Sequence, residues 1–227
     1  ADRSRPEDAP IGLISVDDVK AATAAVTAGG GKVVYAPVML GERGETAVFK
    51  DPEGVLFGVV HSKNGDPLDY AGELNEWYWV DLWTADVEKA AAFYRAVIGY
   101  ETAPVADDGS RSGLRLLSGG FARAGIMQKN SEKSSATWLP YIRVADAKAA
   151  AAAAGAAGGK VLLEPVALNL ATVAIIADPQ GVVVGVAAGV SSTIAHAAGP
   201  ILALYLLAQR LDKTSFVATT GVFFTVN

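Results

Sequence analysis

Hydrophobic positions fall into short Val/Ile/Phe runs separated by Ala-rich stretches, and the order of these segments repeats along the chain. Ile14-Ser15-Val16-Asp17-Asp18-Val19-Lys20-Ala21 matches Ile142-Arg143-Val144-Ala145-Asp146-Ala147-Lys148-Ala149, each followed by an Ala-rich run. Gly30-Gly31-Lys32-Val33-Val34 matches Gly158-Gly159-Lys160-Val161-Leu162, and Pro37-Val38 matches Pro165-Val166. After a one-residue slip, Asp51-Pro52-Glu53-Gly54-Val55 matches Asp178-Pro179-Gln180-Gly181-Val182. Self-similarity of this kind marks one structural unit written more than once.

Each copy predicts strand, helix, strand, strand, strand. Asp17 or Asp18, and Asp146, stand where a helix N-cap is wanted, ahead of the Ala-rich runs. The glycine pairs end those helices, because glycine takes left-handed backbone angles cheaply. Asp-Pro-x-Gly is turn chemistry, and the apolar run after it reads as the last strand. A third opening lies between the copies. Trp77-Tyr78-Trp79-Val80-Asp81-Leu82-Trp83 predicts a strand, Asp86 caps a helix through Tyr94 and Ile98, and Gly99 stops it. Leu114–Leu117 and Ala122–Gln128 then read as a hairpin around Ser118-Gly119-Gly120. The predicted class is α+β: one βαβββ module in 1–61, a linker over 62–76 and a two-module domain in 77–189. An apolar helical segment over 190–227 completes the expected organisation.

Composition then narrows the chemistry. The 227 residues carry a net charge of −5, so no basic footprint for nucleic acid is present. Cysteine is absent, which excludes disulfides, thiolate metal sites and thiol nucleophiles. With His61 and His196 the sole histidines, an imidazole-rich metal centre and a Ser/His/Asp triad are both disfavoured. Gly155-Ala156-Ala157-Gly158-Gly159-Lys160 lacks the spacing and hydroxyl of a phosphate loop and reads as a helix end.

The run Asp86-x-x-Lys89-x-x-x-Phe93-Tyr94-x-x-x-Ile98-Gly99-Tyr100, together with Asp-Pro-x-Gly closing the other units, resembles the vicinal oxygen chelate superfamily of glyoxalases, bleomycin-resistance proteins and extradiol dioxygenases. The resemblance covers about 11–189. It implies paired βαβββ modules whose curved sheets enclose a ligand cavity. In metal-dependent relatives it also implies His or Glu in the first strand and Glu in the last. The matching positions here are Trp79, Leu139, Gly58 and Gly185, and none can ligate a metal. The expectation is therefore a metal-free, cofactor-free cytoplasmic domain that binds a small molecule, with lyase, hydrolase or resistance activity open and no catalytic residue assigned.

If Trp79, the position matched to a ligand of those relatives, faces the implied cavity, strand alternation puts Trp77, Asp81 and Trp83 on the same side, with Tyr141 and Arg143 facing inward from the equivalent strand. An aromatic cavity with a carboxylate, a phenol and a guanidinium suits a small, flat, partly polar ligand. The competing reading is that the tryptophans are packing residues and Asp81 pairs with Arg143. A lone module such as 11–61 leaves one apolar sheet face open, so it is expected to pair with an equivalent unit, either the intact domain in this chain or, by self-association, another copy of itself.

The tail follows other rules. Val190–Leu207 has no formal charge and is marginally long enough to span a bilayer. Ala195-His196-Ala197-Ala198-Gly199-Pro200, Leu204-Tyr205-Leu206-Leu207 and Arg210-Leu211-Asp212-Lys213-Thr214 resemble the sulfite exporter TauE/SafE permease family. That resemblance implies membrane contact through 190–227, and an alternative function as part of an anion exporter. The polar start at Ala1 and the apolar stop at Asn227 read as truncations.

Overall fold

The computed structural model describes residues 11–66, 72–105, 113–129, 134–168 and 171–189. Three βαβββ units follow one another. The first holds β1 (Leu13–Ser15), α1 (Val19–Ala28), β2 (Lys32–Met39), β3 (Glu45–Lys50) and β4 (Leu56–His61). The second holds β5 (Trp77–Thr84), α2 (Val87–Ile98), β6 (Glu101–Pro104), β7 (Gly113–Ser118) and β8 (Phe121–Gln128). The third holds β9 (Thr137–Arg143), α3 (Ala147–Ala156), β10 (Lys160–Ala167), β11 (Thr172–Ala177) and β12 (Val183–Ala188). The paired-module α+β fold expected from the repeat is the fold observed. The tail over 190–227, where an apolar permease-like segment was expected, lies outside the described residues. Among the described residues no helix is long and apolar enough to cross a membrane.

The helices begin where the acidic caps stand. Asp18 accepts from the backbone N–H groups of Lys20 and Ala21 at 2.7 and 3.0 Å, and Asp146 does the same for Lys148 and Ala149 at 2.7 and 3.1 Å. Asp86 accepts from the Lys89 N–H at 3.1 Å, and α2 ends at Gly99 with φ 72°. Each carboxylate satisfies donors that the first helical turn would leave without partners.

In every unit the first strand lies parallel to the last, which gives the order β1-β4-β3-β2 in a four-stranded sheet. The second and third units join edge to edge through antiparallel β5 and β9. The result is one eight-stranded sheet, β10-β11-β12-β9-β5-β8-β7-β6. Along β5 the residues Val80, Leu82 and Thr84 turn toward the helices, and Leu82 and Thr84 are buried there. Trp79, Asp81 and Trp83 take the opposite, concave face by alternation.

The first unit packs on α2 rather than extending the large sheet. Phe57 meets the rings of Phe93 and Tyr94 at centroid distances of 6.0 and 5.2 Å, and Tyr94 meets Trp138 at 5.3 Å. A hydrogen-bond chain runs through the same place. The Trp138 indole donates to the Tyr94 hydroxyl at 3.2 Å, and that hydroxyl donates to Asp51 Oδ2 at 3.1 Å. Asp51 Oδ1 meanwhile accepts from the N–H groups of Glu53 and Val55, both at 2.9 Å, closing the Asp-Pro-Glu-Gly turn. Glu53 of that turn accepts from the Thr84 hydroxyl and from the Ala85 N–H at the mouth of α2. Asp178 builds the same turn in the third unit, bonding the N–H groups of Gln180 and Val182, but on the surface. One turn sequence therefore serves as a plain corner in the third unit and as a plug in the first.

Burial holds the Asp51 carboxyl above its ordinary range, against the downward pull of the Val55, Tyr94 and Glu53 hydrogen bonds. A folded-state value above the unfolded one means that protonated Asp51 contributes stability below the ordinary carboxylate range. That contribution is lost as pH rises through the raised value. Replacing Tyr94 by Phe leaves Asp51 Oδ2 and the Trp138 indole without their shared partner. We expect a loss of about 2 kcal/mol in urea unfolding. Asp51→Asn keeps the acceptor that closes the turn, and should flatten the decline in stability with rising pH across that window.

Candidate functional site

The β5–β9 seam fixes which side chains share the concave face. Trp79 stands opposite Tyr141, Asp81 opposite Leu139, and Trp83 opposite Thr137. Parallel pairing on the far side of each strand adds neighbours to the same rows. Gly125 of β8 sits beside Asp81 and Met127 beside Trp83, while Gly185 of β12 sits beside Tyr141. One strand further out, Arg115 of β7 stands opposite Gly125. The row Arg115, Gly125, Asp81, Leu139 thus crosses four strands on one face.

Asp81 and Trp79 are two residues apart on one strand and interact directly. The Trp79 indole N–H donates to Asp81 Oδ1 at 2.8 Å, a charge-assisted bond that anchors both groups. Trp79, Asp81 and Trp83 are half-buried, while Tyr141 is 7% exposed. The phenol of Tyr78 is raised by burial, with the Arg143 charge pulling it back down.

Two expected assignments come out differently. A bulge at Tyr78 shifts the register between Trp77 and Trp79, so Trp77 pairs with Ile142, which lies on the helix side. Its side chain therefore leaves the concave row, and it is 58% exposed. Arg143 does stand beside Ala187 of β12, one row beyond Tyr141. Its Nη1, however, donates to the Gly72 carbonyl at 3.0 Å, and its backbone bonds Glu76 and Asn75. Arg143 ties the linker to the sheet. Trp79, Asp81, Trp83 and Tyr141 are brought together as expected. Arg115 and Met127 join them from β7 and β8, and alternation applied to that hairpin is the signal that could have found them.

A metal is implied by the glyoxalase-like resemblance, and the donor set does not fit one. The seam carries one carboxylate, Asp81, among indole, phenol, alkyl and hydroxyl groups, and the adjacent last-strand positions are Gly125 and Gly185. A Cβ on Gly125 would come within 2.2 Å of Asp81 Oδ1, and one on Gly185 within 2.1 Å of the Tyr141 ring. Neither place has room for a ligating side chain as the neighbours stand. Among the described residues no group of three or more His, Cys, Asp or Glu side chains is placed to hold an ion. His61 lies at the end of β4, with Nδ1 3.1 Å from the Val16 carbonyl oxygen.

Paired βαβββ units around an aromatic concave sheet define the vicinal oxygen chelate class. The sequence profile of the glyoxalase-like domain matches residues 77–187. "Putative glyoxylase CFP32" of Mycobacterium tuberculosis is 32% identical over 190 residues, covering 80% of this chain and 72% of that protein. The chain belongs to this glyoxalase-like family. "Anthracycline biosynthesis protein DauV" of Streptomyces sp. strain C5 is 34% identical over 85 residues, 37% of this chain and 31% of that one. The Mn(II)-bound glyoxalase of Novosphingobium aromaticivorans shares the fold at a TM-score of 0.51 and 20% identity, over 79% of this chain and 62% of its own. The 2,2',3-trihydroxybiphenyl 1,2-dioxygenase of Sphingomonas wittichii does so at 0.54 and 16%, over 82% and 72%.

The Arg143 tie generates a prediction. Arg143→Ala should cost about 1 kcal/mol and speed protease cleavage near Gly72, as read by limited proteolysis, because the linker loses its side-chain anchor.

Proposed function

We propose that residues 77–189 bind a flat, partly polar aromatic molecule over the β5–β9 seam, without a metal and in the cytoplasm. The observation that carries this reading is the hydrogen-bonded Trp79–Asp81 pair facing Tyr141 across the seam. The half-buried Trp79 indole supplies stacking area, and a carboxylate held at a fixed point supplies a directional acceptor for a hydroxyl or N–H of the ligand. The donor set described above supports binding through organic contacts alone. The likeness of one stretch to an anthracycline biosynthesis protein supports fused aromatic rings as the ligand chemistry. The exporter reading rests on 190–227, outside the described residues, and the proposal concerns 77–189.

Alizarin, a planar hydroxyanthraquinone, tests the proposal by quenching tryptophan fluorescence. Saturable quenching is expected, with affinity unchanged by a chelator. In Trp79→Ala it should weaken about tenfold, as the removal of one aromatic stacking partner implies. Absence of saturable binding, or binding abolished by the chelator, would contradict it.

Self-association belongs to the same reading. Among the described residues β1 pairs with β4 alone, whereas its counterparts β5 and β9 pair with each other as well. The first sheet also exposes Tyr35 (66%), Met39 and Val38. Sedimentation velocity should show a dimer that Leu13→Lys returns to monomer; a monomer at every concentration would refute it.

A further inference from the structure

We propose that Gly125 and Gly185 are positioning residues of the β5–β9 seam, which let Asp81 and Tyr141 lean against the last strands and so set the geometry of the face between them; this deepens, and rests on, the binding reading above.

Three last-strand glycines occupy one register point. Gly58 pairs with Leu13, Gly125 with Asp81 and Gly185 with Tyr141. None of the three has a positive φ, so no turn or left-handed backbone calls for glycine there. Strand interiors disfavour glycine, and its presence signals a close approach. The approach is by a side chain in each unit. An added Cβ would lie 2.5 Å from Leu13 Cδ2, 2.2 Å from Asp81 Oδ1 and 2.1 Å from Tyr141 Cδ1. These separations are shorter than real Cβ contacts, so the first-strand side chain must move whenever a Cβ is present.

The direction of lean follows from the strand order. β8 and β12 flank the seam on opposite sides, in the order β12-β9-β5-β8. Asp81 leans toward β8 and Tyr141 toward β12, so the two side chains splay apart over the seam. The oxygen that approaches Gly125 is also the oxygen that accepts the Trp79 indole N–H at 2.8 Å. Absence of a side chain at 125 therefore sets the acceptor geometry at 81, and through it the orientation of the Trp79 ring. A ligand lying on that ring meets a carboxylate at a fixed height rather than one standing in the cavity.

Gly125→Ala is the informative variant. The atom it displaces is the end of a flexible side chain, so the sheet can keep its pairing while the carboxylate rotates away. Heteronuclear NMR of the indole N–H groups reads this without any ligand, with the Trp79 signal assigned through Trp79→Phe. The Trp79 signal should move upfield once its carboxylate acceptor is gone, while those of Trp77 and Trp138 stay. Alizarin affinity should fall about tenfold, the order expected when a hydrogen bond to a charged group is removed. Gly58→Ala, which disturbs Leu13 in the first unit, should change neither reading. A folded Gly125→Ala protein with an unmoved Trp79 signal overturns the inference, as does a moved signal with unchanged alizarin affinity. Failure of the parent protein to bind alizarin contradicts the binding reading instead, and the Trp79 signal still decides the positioning role. Should Gly125→Ala not fold, adding Asp81→Ser removes the opposing group. Recovery of the fold supports the contact, and continued misfolding overturns it.

Discussion

The antiparallel pairing of β5 with β9 is the constraint on which the rest of the site depends. It turns two four-stranded units into one eight-stranded sheet and selects the residues that share its concave face. Register decides this outright, because a slip of one residue sends every side chain to the other face. With Trp79 opposite Tyr141, the two aromatic residues share a row at the centre of the sheet, and Asp81 follows one row along. The helices then cover the other face, where Leu82, Tyr94, Leu116 and Ile126 are buried.

A second joint attaches the first unit, and it is built differently. Among the described residues no ladder crosses it; a turn makes the connection, with Asp51 and Glu53 bonded to Tyr94, Thr84 and the Ala85 N–H. The aromatic chain from Phe49 through Phe57 and Tyr94 to Trp138 gives the joint its apolar area. The contacts of this joint lie on the helix side of the large sheet, so attachment of the first unit is physically separate from the seam face. The raised carboxyl of Asp51 reports on the joint, and the Trp79–Asp81 bond reports on the seam.

Much of this was legible in the residue pattern because it is local or repeated. Acidic caps, glycine stops and Asp-Pro-x-Gly turns act within a few residues, and the repeat turned one unit into three. That Trp79, Asp81 and Trp83 share one face followed from alternation, and the family resemblance supplied which face that is and its match to Tyr141. What was hidden depends on contacts distant in sequence. The bulge that removes Trp77 from the row arises from pairing with Ile142, and the bond from Arg143 to the Gly72 carbonyl spans a linker whose path no local rule specifies. Gly125 and Gly185 read as weak strand positions until the side chains beside them are seen.

A crystal structure of the protein soaked with alizarin tests the central claim most directly. The account predicts planar density over the seam, stacked against Trp79 and within hydrogen-bond reach of Asp81, with no metal peak beside it. Density confined to the exposed sheet of the first unit, or bridged to the protein through a bound ion, would contradict it.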